Sequence, residues 1–411
     1  MEVESVFPEK MHSALHPLCI AVSAAIVLAL NPCADIQAQT PPTRQKSFLK
    51  SNQTNANQAR DSSPEPHAEA DAEFQTGTAL TRKGSFREAI PHLLAARTVV
   101  THEYAANFNL ALCYVGTSQF MLAIEVLNDL RLRGHDGVDV ENLLSQAYIG
   151  NAQPQEALAS LEKAASLSPQ NEKLYVFVAD ACRDHRDYEL GLKVVGVGLQ
   201  NLPQSARLHY EQAMFLTELD EFDQAKPQFE LAAKLAAGGE ITYLATAQQD
   251  MFAGKIDGAI RSAREGVTQG YENPALLTIL GEALMRSGVS PGQPEFAEAQ
   301  TALERAVSLR LNDPAAQIAL GNIYLSAGRL EDSIAHLEIA RQFEPGRPSI
   351  YANLAKAYQR HGDLQLAQQA LATLEKINQQ EADRISSAPG DRKLGYAGRR
   401  MTQEDTAQPH Q

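Results

Sequence analysis

The sequence predicts an all-α solenoid of about nine stacked helical hairpins, and three observations carry that prediction. Apolar residues make up 44% of the 411 positions, while aromatics supply only 6% and tryptophan is absent. The apolar content is therefore largely Ala and Leu, a helical composition. The chain also repeats itself every 34 residues through most of its length, the mark of a stacked-repeat architecture. At two fixed phases of that period only Gly, Ala or Ser occurs, and antiparallel helices approach closely only where a small residue sits at the crossing.

The first small position is Gly77, Ala111, Ser145, Ala179, Ala213, Ala247, Gly281, Gly321 and Ala355, in steps of 34 except one of 40 before Gly321, where six residues are inserted. Twelve residues later come Ala89, Ala123, Ala157, Gly191, Ala225, Ala259, Ser333 and Ala367; in the seventh unit the place falls to Ala299. Each pair predicts a first and a second helix. Leu110, Leu144, Leu280, Leu320 and Leu354 precede the first small residue, and Tyr114, Tyr148, Tyr324 and Tyr358 follow it by three. Gly84, Gly254, Gly328 and Gly362 fall where the chain must turn, and Phe86, Phe120, Tyr188, Phe222 and Phe296 are read as plugs for those turns. Pro169, Pro203 and Pro345 stand where the next hairpin begins. An amphipathic hairpin cannot fold alone, so neighbours must stack into one core.

This pattern resembles the tetratricopeptide repeat family, whose units read Leu-Gly-x-x-Tyr in the first helix and Ala-x-x-x-Phe in the second. The resemblance covers about Ala70 to Glu381. The family's tryptophan position holds Tyr175, Tyr243 or Tyr351, and Glu73, Asn107 or Gln317 elsewhere; Asp250 replaces the expected aromatic in the sixth unit. The resemblance implies a right-handed α-solenoid whose first helices line an inner groove that binds peptide or protein segments without catalysis.

The ends read differently. Leu18 to Leu30 is an uninterrupted apolar run, too short for a membrane span of about 20 residues but long enough for a signal-peptide core. Cleavage after Ala38 makes residues 1–38 a signal peptide, leaves no integral membrane span, and sends the protein to the periplasm or outside the cell. Residues 39–69 are rich in Pro, Gln, Asn, Ser and Thr and read as a disordered linker. The repeat array then occupies 70–381, with the insertion near 289–295, and residues 382–411 read as a disordered tail. No convincing capping helix follows the last repeat, so self-assembly through the terminal repeats is a further reading.

A formal net charge of −14 argues against nucleic acid and anionic membrane surfaces, which recruit Lys and Arg. The cysteines, Cys19, Cys33, Cys113 and Cys182, show no zinc spacing. Cys113 and Cys182 lie two repeats apart, roughly 16–20 Å at usual helix spacings, and are read as packed thiols. No nucleophile, phosphate-loop or dinucleotide motif is present, so no enzyme activity, cofactor or metal is expected. The histidines read as scattered surface residues. Two polar knots, Arg183-Asp184-His185-Arg186-Asp187 and Glu218, Asp220, Glu221 and Asp223, read as solvated turns.

What remains is the groove. The offsets at which the family's first helices face inward place Phe74, Phe108, Leu112, Val176, Tyr210, Met214, Leu244, Met251, Met285, Ile318 and Leu325 on it, with Asn142, Gln146, Asp180, Arg183, Gln248, Glu282, Asn322 and Lys356 interleaved. An exposed apolar strip of this length marks an interaction site, and methionine suits varied partners. The partner is expected to be a protein or peptide. The lysines that a carboxylate clamp for chaperone C-termini requires are missing, so that specificity is not expected.

Overall fold

The computed structural model describes residues 66–97 and 103–387. The stretch read as a signal peptide, and the parts of the stretches read as linker and tail before 66 and after 387, lie outside the described residues. Within them the chain forms eighteen helices and no strand, in nine hairpins. No helix among the described residues is long and apolar enough to cross a membrane.

The chain divides into two compact units at Ala164–Ala165. Unit 1 holds three hairpins: α1 (Pro66–Arg82) with α2 (Phe86–Ala96), α3 (Glu103–Gly116) with α4 (Phe120–Leu132), and α5 (Val138–Gly150) with α6 (Pro154–Leu167), the last turn of α6 falling past the division. Unit 2 holds six, beginning with α7 (Glu172–Asp184) and α8 (Tyr188–Asn201), then α9 (Ala206–Glu218) and α10 (Phe222–Leu235), and α11 (Glu240–Phe252) and α12 (Ile256–Thr268). It continues with α13 (Pro274–Arg286) and α14 (Pro294–Leu309), α15 (Pro314–Ser326) and α16 (Leu330–Phe343), and α17 (Pro348–His361) and α18 (Leu364–Ser387). Helix thus starts at Pro66, inside the stretch read as linker, and runs to Ser387, inside the stretch read as tail.

The small residues are where the helices cross. A Cβ on Gly77, Gly281 or Gly321 would stand 2.7, 2.4 or 2.8 Å from the Cγ of Leu93, Leu303 or Leu337 on the facing second helix, closer than atoms can approach. At Ser145 the crossing is tight enough for the hydroxyl to donate to the Ala157 carbonyl at 2.7 Å.

The family's missing tryptophan is replaced by a polar device. Tyr175 and Tyr351 donate their hydroxyls to the Pro169 and Pro345 carbonyls at 3.0 and 2.7 Å, and Gln317 donates to the Leu311 carbonyl at 2.6 Å. His209, at the same place, reaches the Pro203 carbonyl at 3.1 Å. Each ties the start of a hairpin to the carbonyl six residues back. Gln317 also lies 2.6 Å from His336, and Glu73 lies 2.5 Å from His92. These two histidines occupy one and the same repeat position, so the reading of the histidines as scattered surface residues is corrected. Repetition of the bond, rather than of the residue, had hidden the order.

Every hairpin turn bends through a left-handed residue. Gly84, Gly254, Gly288, Gly328 and Gly362 have positive φ, and at the same phase so do Ser118, Ala152, Arg186 and Asp220, at 59°, 56°, 58° and 62°. An L-residue held there costs about 1–2 kcal/mol. Ala152→Gly should therefore raise the stability of unit 1 by about 1 kcal/mol, less the greater entropy glycine brings to the unfolded chain. A denaturation midpoint that failed to rise would count against the strain.

The plugs behave according to what they meet. Phe86 and Phe120 close onto Gly116 and Gly150, where a Cβ would come within 2.4 and 2.3 Å of their rings. Phe222 meets Phe252 at the equivalent place, with ring centroids 6.3 Å apart, and is pushed outward to 48% exposure. Its reading as a turn plug does not hold. In the seventh hairpin the insertion makes the connection 287–293, and α14 begins two residues before its plug, Phe296. Val289 from this loop packs against the core. Cys113 and Cys182 are both buried free thiols, and burial pushes their pKa values up to about 11 and about 12.

Candidate binding surface on the first helices

In unit 1, Leu112 is buried; Phe74 is half-buried against Ala96 and Ala106, and Phe108 is half-buried and stacks on Tyr104 with ring centroids 5.9 Å apart. In unit 2, Tyr210, Leu244, Met251, Ile318 and Leu325 are buried, with between 1% and 9% of their surface exposed. Val176, Met214 and Met285 are half-buried, and the two methionines pack against the core. This corrects the expectation of an open apolar strip. Residues on the inner offsets of adjacent first helices face each other across the helix–helix seam, and burying them is what stacks one hairpin on the next. The polar pair Asn142 and Gln146 is buried as well, joined at 2.8 Å.

The polar side chains of unit 2 define the inner surface. Hairpins far apart in sequence converge on it. Arg186, in the first turn, lies with its Nη1 3.6 Å from where a Cβ of Gly346 would stand. The charge of Arg310, after α14, acts on Asp180, Asp184 and Glu211 and favours their ionised forms. The first helices of unit 2 therefore curve around a shared interior.

Glu211 is the anchor of this interior. Its side chain is fully buried and ion-paired to both Arg183 and Arg207, the latter at 2.7 Å. Arg183 reaches on to Asp180 at 2.9 Å and lies over the Phe215 ring, while Arg207 lies over Tyr210. Burial pushes the Glu211 pKa up, but the two arginines outweigh it and leave it lowered. A sequence reading by inner offsets misses Glu211. Its signal was the one carboxylate at a phase where other repeats carry Phe177, Ala245, Ile279 and Ala319 or the uncharged Gln75, Asn109 and Asn353, with Arg207 four residues before it. The Arg183 turn was read as solvated; its Arg186 and Asp184 are exposed, but Arg183 itself is half-buried in this network.

Other inner carboxylates are shifted the opposite way. Burial raises Asp180, and it raises Glu282 to about 7. A carboxyl whose pKa is higher folded than unfolded holds its proton longer in the native state, so stability falls as pH rises through the interval between the two values. For Glu282 that interval runs from the ordinary carboxylate range to about 7. Glu282→Gln should remove part of the loss, roughly 2 kcal/mol or less once solvent screening is allowed for. The check is the melting temperature of wild type and variant at pH 5 and pH 8; equal pH slopes would refute it. Glu211, with a lowered pKa, acts in reverse and weakens unit 2 on acidification.

A separate cavity of about 510 Å³ lies between α12 and α14, with Val267, Leu277 and Ala302 in its wall. Its rim carries the ion pairs Arg264–Glu298 at 2.8 Å and Arg305–Glu272 at 2.7 Å.

Two family models match the chain, one described as TPR repeat over residues 321–362 and one as Tetratricopeptide repeat over residues 142–171. The cytochrome c-type biogenesis protein CycH of Bradyrhizobium diazoefficiens is 34% identical over 107 residues, covering 25% of this chain and 28% of that protein. The chain therefore spans under a third of that relative's length. Among solved structures, YrrB, a TPR protein with an unusual peptide-binding site, is similar with a TM-score of 0.32 and 19% identity, covering 44% of this chain and 91% of that one. A tetratricopeptide repeat protein from Parabacteroides merdae is similar with a TM-score of 0.43 and 15% identity, covering 62% and 99%.

Proposed function

This chain belongs to the tetratricopeptide repeat family, and on that basis we propose that the inner face of unit 2 holds an extended or helical segment of another protein. The repeat fold serves as a scaffold for protein–protein interaction, and the reading assigns no catalysis to it. One observation supports the location above the others. The first helices α7, α11, α13, α15 and α17 carry Asp180, Gln248, Glu282, Asn322 and Lys356 at one repeat position, with Arg183 nearly a turn further along α7 and Met214 at the same position of α9, while apolar residues at neighbouring offsets are used up in stacking. Recognition on this face is therefore polar and charged, with the half-buried Met214 and Met285 as its apolar points. A photo-crosslinking amino acid placed at Gln248 should capture a partner from cell-envelope extracts, and one at the exposed Arg261 of α12 should not. Equal capture at both positions, or none at either, would overturn the location.

The apolar run Leu18 to Leu30 with Ala38 after it supports export, and we place the protein's work outside the cytoplasm. Mature protein should begin near Gln39 on amino-terminal sequencing of a periplasmic or extracellular fraction. Intact residues 11–38 on soluble cytoplasmic protein would refute this. The similarity to a cytochrome c-type biogenesis protein over 107 residues favours a second reading, an accessory part of a protein-assembly complex.

A further inference from the structure

The inner row of unit 2 contains an acidic side chain that nothing in the fold satisfies directly. Glu282, half-buried on α13, makes neither hydrogen bond nor ion pair among the described residues. The charged groups around it are Arg347, Asp313 and Arg286, together with Glu344, which holds Arg347. Arg347 donates to Glu344 at 2.9 Å. Asp313 caps α15, accepting from the Ala315 and Ala316 amides at 3.0 and 3.4 Å. Arg286 is exposed at the end of α13 and does not pair with it. At the equivalent place on the next first helix, α15, the Asn322 Oδ1 is buried and has no donor. The buried Asn322 Oδ1 is a costly acceptor to leave without a donor, and the Glu282 carboxylate one first helix away, with no protein partner among the described residues, keeps contact with solvent. Met285, nearly one turn on from Glu282 along α13, is half-buried and adds an apolar, adaptable side chain.

A lysine or arginine has the matching chemistry, an apolar stem with a head that only donates. We propose that Glu282, flanked by Asn322 and Met285, is where the inner face of unit 2 receives the basic side chain of a bound extended segment, an inference that rests on reading this face as the binding surface. The negative charge of the protein as a whole works in the same direction over longer range. Because burial raises Glu282 to about 7, an arriving cation draws it into the ionised form, and binding at neutral pH releases a proton. Affinity for a basic segment therefore rises with pH between 6 and 8.

The test uses the full chain, immobilised, and three pools of short degenerate peptides whose central residue is fixed as Arg, Gln or Glu. Wild type should retain the Arg pool about tenfold over the Gln pool, a modest margin for one partly desolvated charge pair, and the Glu pool least. Glu282→Gln should abolish the Arg preference and its rise with pH, while its helical circular dichroism and melting temperature stay at or above those of wild type. Equal retention of the three pools, or a preference that survives the substitution, would overturn this inference and leave the binding surface standing. Retention of no pool would overturn both. A Glu282→Gln protein that melts well below wild type would also overturn it, since Glu282 would then hold a structural partner.

Discussion

Met251→Glu is expected to unfold the central hairpins of unit 2. Met251 is 7% exposed and belongs to the cluster that includes Tyr210, Leu216, Leu244 and Leu280. A carboxylate there would stand among these apolar neighbours, and the cost of burying a charge in such a place is met either by protonation or by disrupting the packing. A loss of about 3 kcal/mol or more follows, or a fall of roughly 10 °C in melting temperature for a unit of this size. Met214→Glu, at a half-buried position, should cost clearly less. Circular dichroism melts of the two single variants measure the difference. If Met251→Glu moved the melt by no more than a degree or two, the inner methionines would be an open surface after all.

Glu211→Ala should be comparably damaging for another reason. It leaves Arg183 and Arg207 facing each other beside Tyr210 and Phe215 with their shared anion gone. Breaking a buried ion pair on one side typically costs about 3–5 kcal/mol, whereas replacing the whole set by apolar residues is often neutral. The double variant Arg207→Ala/Glu211→Ala should therefore be more stable than Glu211→Ala alone. Chemical denaturation of the two singles and the double closes the cycle. Additive losses would mean that the pair is not coupled and that solvent reaches Glu211.

Much of the fold was legible because it depends on residues that must be small. Gly77, Gly281 and Gly321 leave no room for a Cβ, so the period survives in the sequence even where other positions drift. The turns were half legible. Glycine announced some of them, but Ser118, Ala152, Arg186 and Asp220 take the same backbone conformation without the residue type that signals it. The binding surface was the least legible part. Inward offsets identify which residues lie near the interior, yet they cannot separate a side chain facing the channel from one wedged in the seam between first helices. Tyr210 and Leu244 turned out to be seam residues. Arg207 is four residues from Glu211 on α9 and so was legible as its partner, but Arg183 reaches Glu211 only through packing of α7 on α9.

The approach of Arg186 to Gly346 also bears on how unit 2 comes apart. In an open row of repeats each hairpin contacts only its neighbours, and terminal units fray independently of the rest. Here Arg186, in the first hairpin of the unit, adjoins the connection before the sixth at Gly346, and the charge of Arg310, before the fifth, acts on Asp184. Loss of the last hairpin therefore removes contacts from the first. Hairpins four to nine should exchange their amide protons and unfold in denaturant as one cooperative block, with a folding nucleus that must bring distant segments together and so forms more slowly than that of an open array.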